Sequence, residues 1–575
     1  MATANPLNHD ASHIHALVDM GSNGIRFSIS NLAPQTARIT PTLYQTRAGI
    51  SLYDAQYPAS AKGERQPIDA DTIAAVVTAF RSFKRASADF GVPEGNVTVL
   101  ATEATRTAIN GEEFLGEIRE AVGWEVQLLA KGEEGRVGAM GVASSLPEVT
   151  GLVMDLGGGS TQLSWLVKKG EEDVRMPEGG AVSLPYGAAA LSRRLSEAAE
   201  KGGKAVGELE REVKEAVREA YGSLNVPVDL KKAAEDEGGF TLYLSGGGFR
   251  GWGYVLMSRH DVKPYPIPVI NGFKVSRKDF LSTDTVKQAA AAVLDEDNEG
   301  DDIFRISDRR AGQVPAVAFL VNALSQALPQ VKEVRFCQGG VREGYLFSSL
   351  PSEIQAQHPL IAATRPFDIR GTSSSMARLL ISAFPLGSTK DAQDDYKATF
   401  NHDLLHAFAN LMYVHASHSK DLQATSALRS TTSGALAGVH GILHESRALL
   451  GLLLCARWGG SVPPSDEGFK RNLEQIVESD WTLWWINYIG AVAGLIAEVY
   501  PAGFVEKDAS RIRVEASWGR DEKGRSALAL KLSFGDGVDV EALGKGIKAV
   551  EKTGKKKRWI GGKKGSGHRV DVTVC

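Results

Sequence analysis

The chain has 575 residues, room for about three to five domains of ordinary size. Its 65 basic and 69 acidic residues leave a net charge of −4, which excludes global electrostatic capture by nucleic acid or an anionic membrane, so any anion site must be local. Cys337, Cys455 and Cys575 lie far apart without CxxC spacing, which argues against a disulfide framework or a zinc site and for a reducing compartment.

Residues 1–13 lack a basic segment followed by an apolar one and are expected to be a disordered leader, not a signal peptide. The first ordered pattern is HALVDMGSNGIRFSIS at 15–30: an apolar strand, Asp-x-Gly, a small-residue turn, and a second strand with alternating polarity. A helix over 71–90, a strand at 97–102, a helix at 111–122, a strand at 126–130 and a helix at 133–144 follow. The opening pattern then returns as GLVMDLGGGSTQLSWL at 151–166. The interval from Asp19 to Asp155 is too long for a solenoid repeat and suits a duplicated α/β domain with a largely parallel sheet.

Downstream, 196–221 reads as one exposed amphipathic helix, 240–253 as a strand running into a glycine-rich turn, and 295–302 as an acidic surface loop. A helix at 314–328 and a strand at 334–344 close the α/β region near residue 350. From about 360 to 500 the pattern is all helical. Its most apolar stretch, 434–458, carries His440, His444, Glu445 and Arg447, each costly in a bilayer, and so reads as buried helix. The last 70 or so residues read as paired strands, a helix and a final strand around the basic run KKKRWIGGKK at 555–564, expected to be a solvated loop; Cys575 is too close to the end for prenylation. The expected organisation is a leader (1–13), lobe 1 (14–149), lobe 2 (150–352), an all-α domain (353–503) and a small α+β domain (504–575).

Three glycine-rich segments, GSNG at 21–24, GGGST at 157–161 and SGGG at 245–248, follow strands, where bare backbone N–H groups can converge on an anion. The repeat puts the first two at equivalent strand ends, so a phosphate chain would be gripped from both sides, with Ser22, Asn23, Ser160 and Thr161 adding donors. Asp19 and Asp155 admit two readings: ligands of a divalent cation, usually Mg²⁺, that bridges to phosphate, or caps of the following turns. Glu133 and Glu134 open a helix and are either candidate bases or dipole-complementing residues. Arg106 either pairs with phosphate or with Glu103 or Glu112.

DMGSNG, ATEATR, GEEGR, DLGGGST, SGGGFRG and GGVREG resemble, in order and spacing, the exopolyphosphatase/guanosine pentaphosphate phosphohydrolase (Ppx/GppA) family across about 15–350. The resemblance implies two duplicated actin-like (ribonuclease H-like) lobes. VSLPYGAA, SDRRA, VHAS and LCARWGG are similar to a fungal retrograde-signalling branch of that family, to about residue 500. That implies a cytoplasmic regulator of mitochondria-to-nucleus signalling, a protein partner that inhibits the pathway, a homodimer, and ATP, another nucleotide or polyphosphate as ligand.

Carried over by motif, Gly21, Ser22 and Asn23 form the first phosphate turn; Asp155, Gly157, Gly158, Gly159, Ser160 and Thr161 form the second. Gly246, Gly247 and Gly248 lie at the far end of the ligand and Arg106 on the phosphate chain. Glu134 falls on the catalytic base, with Glu133 as the alternative. Gln162 stands where active bacterial exopolyphosphatases carry Glu; it can orient water but cannot take a proton or supply charge to Mg²⁺, which leaves hydrolysis open. The all-α region resembles a degenerate HD-like domain: His402, Asp403, His415, His418, His440 and His444 are irregularly spaced, and ALRSTTSG at 427–434 stands where a buried His-Asp pair belongs.

Overall fold

The computed structural model describes residues 10–58, 64–170, 172–295, 302–368, 370–385, 396–505, 510–520 and 526–575. They fall into two compact units: residues 1–260, 269–359 and 440–442 belong to the first, and 261–268, 360–439 and 443–575 to the second.

The first unit is built on two mixed sheets. One holds β1 (Ile14–Gly21), β2 (Gly24–Asn31), β3 (Thr42–Ala48), β4 (Val97–Ala101) and β5 (Val126–Leu128) in the order β3-β2-β1-β4-β5. The other holds β6 (Val149–Leu156), β7 (Thr161–Lys168), β8 (Val182–Leu184), β9 (Phe240–Ser245), β10 (Lys274–Ser276) and β11 (Val331–Phe336) in the order β10-β11-β9-β6-β7-β8. In each sheet the first three strands are antiparallel and the next two join in parallel, so the second repeats the first with β10 added at its edge. The duplication inferred from the Asp-x-Gly repeat is thus present in the strand order. β1 and β6 are central and covered on both faces, which is why they read as nearly unbroken apolar runs.

Helices Ala70–Asp89 and Gly111–Val122 cover the first sheet with Phe80, Phe83, Phe114 and Ile118, and Phe83 stacks on Phe27 of β2 at 4.8 Å. Helices Lys131–Ser145 and Val341–Ser348 cross with their backbones in direct contact. At Gly141 a Cβ would overlap the carbonyl of Gly340 and lie 2.8 Å from its nitrogen.

Four expectations are revised. The segment 196–221 is not one helix but the end of Ala188–Glu200 and most of Gly203–Ser223, interrupted at Gly202, whose φ of +97° is outside the helical range. The strand at 240–253 ends at Ser245, and Gly246–Ser258 is a helix, so SGGG is a helix start and not an open turn. The strand at 334–344 likewise ends at Phe336, before a helix from Val341. Of the leader, residues 1–9 lie outside the described residues, whereas Ala11–His13 form a short turn capped by Asp10, so order begins earlier than expected. Most of the acidic loop at 295–302 also lies outside the described residues.

In the second unit, the described residues from 360 to 505 are helices and turns. The apolar stretch 434–458 contributes one helix, His444–Arg457, and buried Arg447 donates to the carbonyls of Leu436 (2.8 Å), Val439 (2.7 Å) and Thr431. Among the described residues one helix, Asp480–Val499, is long and apolar enough to cross a membrane; its Trp484, Trp485 and Tyr488 are fully buried. Strands β12 (Ile512–Arg520), β13 (Ser526–Phe534) and β14 (Arg569–Val574) form a three-stranded sheet, with helix Gly544–Thr553 between the last two. The basic run carries two single 3-10 turns, Lys556–Arg558 and Gly562–Lys564. Among the described residues no group of three or more His, Cys, Asp and Glu is placed to hold a metal ion. His440 packs in the first unit, 2.8 Å from Ser144 Oγ, while His415 meets Ser430 Oγ at 3.2 Å in the second.

Candidate functional site

The two equivalent hairpins meet tip to tip. Asn23, in the two-residue turn between β1 and β2, lies against Gly158 in the turn between β6 and β7. A Cβ at Gly158 would stand 2.5 Å from the Asn23 amide nitrogen, so only glycine permits this approach. The contact leaves an open cleft of about 490 Å³ on one side and a smaller pocket of about 220 Å³ on the other.

Asp19, Gly21, Ser22, Asn23, Glu134, Asp155, Gly157, Gly158, Ser160, Gln162, Gly246, Gly247 and Gly248 line the larger cleft. Four other expected residues do not. Arg106 stands behind Glu134, 3.2 Å from its Oε2, and also donates to the Leu129 carbonyl. Glu133 turns outward and pairs with Arg136 at 2.7 Å. Thr161 is fully buried, its hydroxyl donating to the Tyr186 carbonyl at 2.8 Å. Gly159 borders the smaller pocket. Gln162 reaches into the cleft but is tied locally, its Nε2 donating to Ser160 Oγ at 2.9 Å.

Register makes the hairpins comparable. Asp19 pairs with Arg26 across β1 and β2, as Asp155 pairs with Gln162 across β6 and β7. Arg26 and Gln162 are therefore equivalent positions of the duplication. Arg26 in turn faces Arg47 across β2 and β3, two like charges directly opposed in one sheet. That arrangement destabilises a sheet unless something offsets it.

Arg26 and Arg47 are part of a larger group that sequence reading passed over. Arg250, Arg305, Arg309, Arg310 and Arg342 line the same cleft, so seven arginines face three carboxylates, Asp19, Glu134 and Asp155. A signal was present: Arg26, Arg250 and Arg342 stand two residues beyond Gly24, Gly248 and Gly340, each in a quoted glycine-rich motif, and Arg309 and Arg310 are the pair in SDRRA. Arg309 also spans the lobes, its Nη2 donating to Asn23 Oδ1 (3.1 Å), Ser51 Oγ (3.2 Å) and Asp54 Oδ2 (2.9 Å).

The crowding shows in the acidities. Burial, then the cations Arg26 and Arg310, bring Arg250 down to about 9. Arg47 and Arg310 are lowered in the same way, by burial first and neighbouring arginines second. Burial raises Asp19 and Asp155 above the usual carboxylate range against the opposing pull of Arg26 and Arg250 respectively. Burial also lifts Glu134 to about 7, although Arg106 opposes it. A polyanion in the cleft would relieve the arginines, and a cation beside Asp19 and Asp155 would relieve the carboxylates.

The model of the Ppx/GppA phosphatase family matches residues 32–353, and that of the RTG2 C-terminal domain matches 358–575. The chain belongs to the Ppx/GppA phosphatase family. Among curated proteins, Retrograde regulation protein 2 of Saccharomyces cerevisiae is 42% identical over 495 residues, covering 85% of this chain and 81% of that one. Among solved structures, the type II variant of the Aquifex aeolicus Ppx/GppA phosphatase has 22% identity and a TM-score of 0.42, covering 59% of this chain and 99% of its own. An exopolyphosphatase from Cytophaga hutchinsonii has 17% identity and a TM-score of 0.42, covering 58% and 97%.

Proposed function

We propose that this protein is a cytoplasmic regulator of mitochondria-to-nucleus retrograde signalling whose two lobes bind a phosphoryl ligand, a nucleotide or polyphosphate, and that occupancy controls a protein partner that inhibits the pathway. The signalling half rests on the similarity to Retrograde regulation protein 2 of yeast. The ligand half rests on one observation: seven arginines, two of them opposed across a sheet, converge on the glycine turns of both lobes. Such a field costs folding energy and favours a polyanion bound between the lobes. Ligand held by the glycine turns of both lobes would add to the contact of Asn23 with Gly158, and its loss would weaken the hold between the lobes, a hinge a partner can read.

Asp19 and Asp155 suit Mg²⁺, since buried carboxylates at the two strand ends supply two oxygens and leave the remaining positions to water and phosphate. When bound, the ion neutralises phosphoryl charge. Equilibrium dialysis against ATP and against polyphosphate, with and without Mg²⁺, tests the reading. Binding should weaken at least tenfold in an Arg250→Gln/Arg310→Gln double variant; unchanged binding in that variant refutes the cleft.

A specific observation favours a second reading, an active phosphoanhydride hydrolase. Glu134 borders the cleft with a carboxyl lifted to about 7, the range suited to a general base near neutral pH. Phosphate release from ATP or polyphosphate should then fall about 100-fold or more in Glu134→Gln. Equal background rates in both proteins would exclude hydrolysis while leaving the binding reading intact.

A further inference from the structure

The basic run at 555–564 is part of a larger charged surface that only the fold assembles. Helix Gly544–Thr553 buries Gly546 and Val550, which leaves Lys545, Lys548 and Lys552 exposed at the i, i+3, i+7 spacing of one helical face. The run follows directly, with Lys555, Lys556, Lys557, Arg558, Lys563 and Lys564 all exposed. Nine cations and one carboxylate, Glu551, thus share residues 545–564 of a chain whose net charge is −4.

This surface is ordered. Ile560 and Ser566 exchange backbone hydrogen bonds of 3.0 and 2.8 Å, which close the two single turns of the run on each other. Among the described residues none of the nine cations is paired with a carboxylate. On the strands of the same module, by contrast, Arg513 pairs with Glu515 at 2.9 Å and Arg569 with Asp571 at 2.8 Å. Complementing the dipole at the end of a helix accounts for Lys552 and Lys555 and leaves the other seven without a local reason.

We infer that this face binds double-stranded nucleic acid through its phosphate backbone, without reading sequence. The inference is independent of the proposed role of the cleft. A duplex carries one negative charge per about 1.7 Å of its axis, a density that a fixed row of cations matches. Single strands are held by stacking bases on aromatic rings, and the one aromatic residue here is not free to stack. Trp559 packs so closely on Gly567 that a Cβ there would lie 2.5 Å from the indole Cδ1, its Nε1 is buried, and Lys556 Nζ lies 5.6 Å from its ring. A lipid surface is disfavoured for a different reason: among residues 544–569 no large apolar side chain is exposed for insertion.

The test measures fluorescence anisotropy of labelled RNA and DNA duplexes of arbitrary sequence with the full chain. With six of the nine cations on phosphates, raising salt from about 50 to about 200 mM should weaken binding about 1000-fold. A quadruple variant, Lys548→Gln/Lys552→Gln/Lys557→Gln/Lys563→Gln, should bind at least tenfold more weakly, with the logarithmic salt slope reduced by about one for each cation removed. The four side chains are exposed and unpaired, so the variant should fold normally, which circular dichroism checks. An equal charge change at the exposed Lys201, Lys204, Lys231 and Lys232, each to Gln, should leave duplex binding within about twofold.

Equal affinity for RNA and DNA duplexes, or preference for one of them, is consistent with backbone binding. Three results overturn the inference: equal weakening by the two quadruple variants, tighter binding of a single strand of the same length, or tighter binding of polyglutamate or of phosphatidylserine-containing vesicles. The last would assign the surface to an acidic protein or a membrane instead.

Discussion

Glu134 ties the chemistry of the cleft to the stability of the unit that contains it. Its carboxyl has a reference value of 4.5 and stands at about 7 in the folded protein, because burial outweighs the pull of Arg106. Between those values the folded state holds a proton that the unfolded state has lost, so this group makes stability fall as pH rises from about 4.5 to 7, with the full penalty present above. At about 1.4 kcal/mol per pH unit the penalty is about 3 kcal/mol, and the side chain is only 13% exposed, so solvent screening removes little of it. Glu134→Gln abolishes the ionisation while keeping an oxygen for Arg106. The two proteins should therefore diverge with pH: relative to its value at pH 5, the variant's stability advantage should be larger by about 3 kcal/mol at pH 8. Hydrogen exchange of the amides of β6, a buried central strand of the first unit, reads this difference without requiring both units to melt together. The ratio of variant to wild-type protection should rise about 100-fold between those pH values in phosphate-free buffer. A flat ratio would mean that the carboxyl is solvated and unfit to serve as a base near neutral pH.

Two glycines on one helix give a sharper packing test. Gly141→Ala forces a methyl into the backbone of Gly340 and should destabilise the first unit by about 2 kcal/mol or more, whereas Gly138→Ala meets nothing within 4 Å and should stabilise it by about 0.5–1 kcal/mol; thermal unfolding of both variants checks the contrast. Arg309→Ala removes three exposed hydrogen bonds between the lobes, so stability should change by less than about 1 kcal/mol while the distance distribution between fluorophores on the two lobes broadens. Gln162→Glu places a second carboxylate opposite Asp155 and should tighten Mg²⁺ binding in the presence of ligand; chelation with EDTA should then weaken nucleotide or polyphosphate binding in both proteins, as dialysis would show.

What could be read from the residues, and what could not, divides along a physical line. The two hairpins were legible because period-2 alternation and an Asp-x-Gly turn are local signals, and the strand orders repeat as the repeated motif required. The SGGG segment was misread because a glycine-rich helix start and a glycine-rich turn have the same composition, and only packing against Leu156 separates them. By residue type and position Glu133 and Glu134 are alike, and only the family resemblance puts Glu134 first. Adjacent helical residues point about 100° apart, and only the placement of helix Lys131–Ser145 directs Glu134 to the cleft and leaves Glu133 to Arg136. The arginines were hidden more deeply, since they come from strands and helices scattered between residues 26 and 342, and each taken singly is an ordinary surface cation. Their meaning resides in the register that sets Arg26 against Arg47 and in the crossing of elements that adds Arg250 and Arg310, both long-range properties. Charge repulsion of this kind is a stronger sign of an anion-binding site than any one glycine turn, because a turn has other reasons to be bare and a cluster of opposed arginines has few.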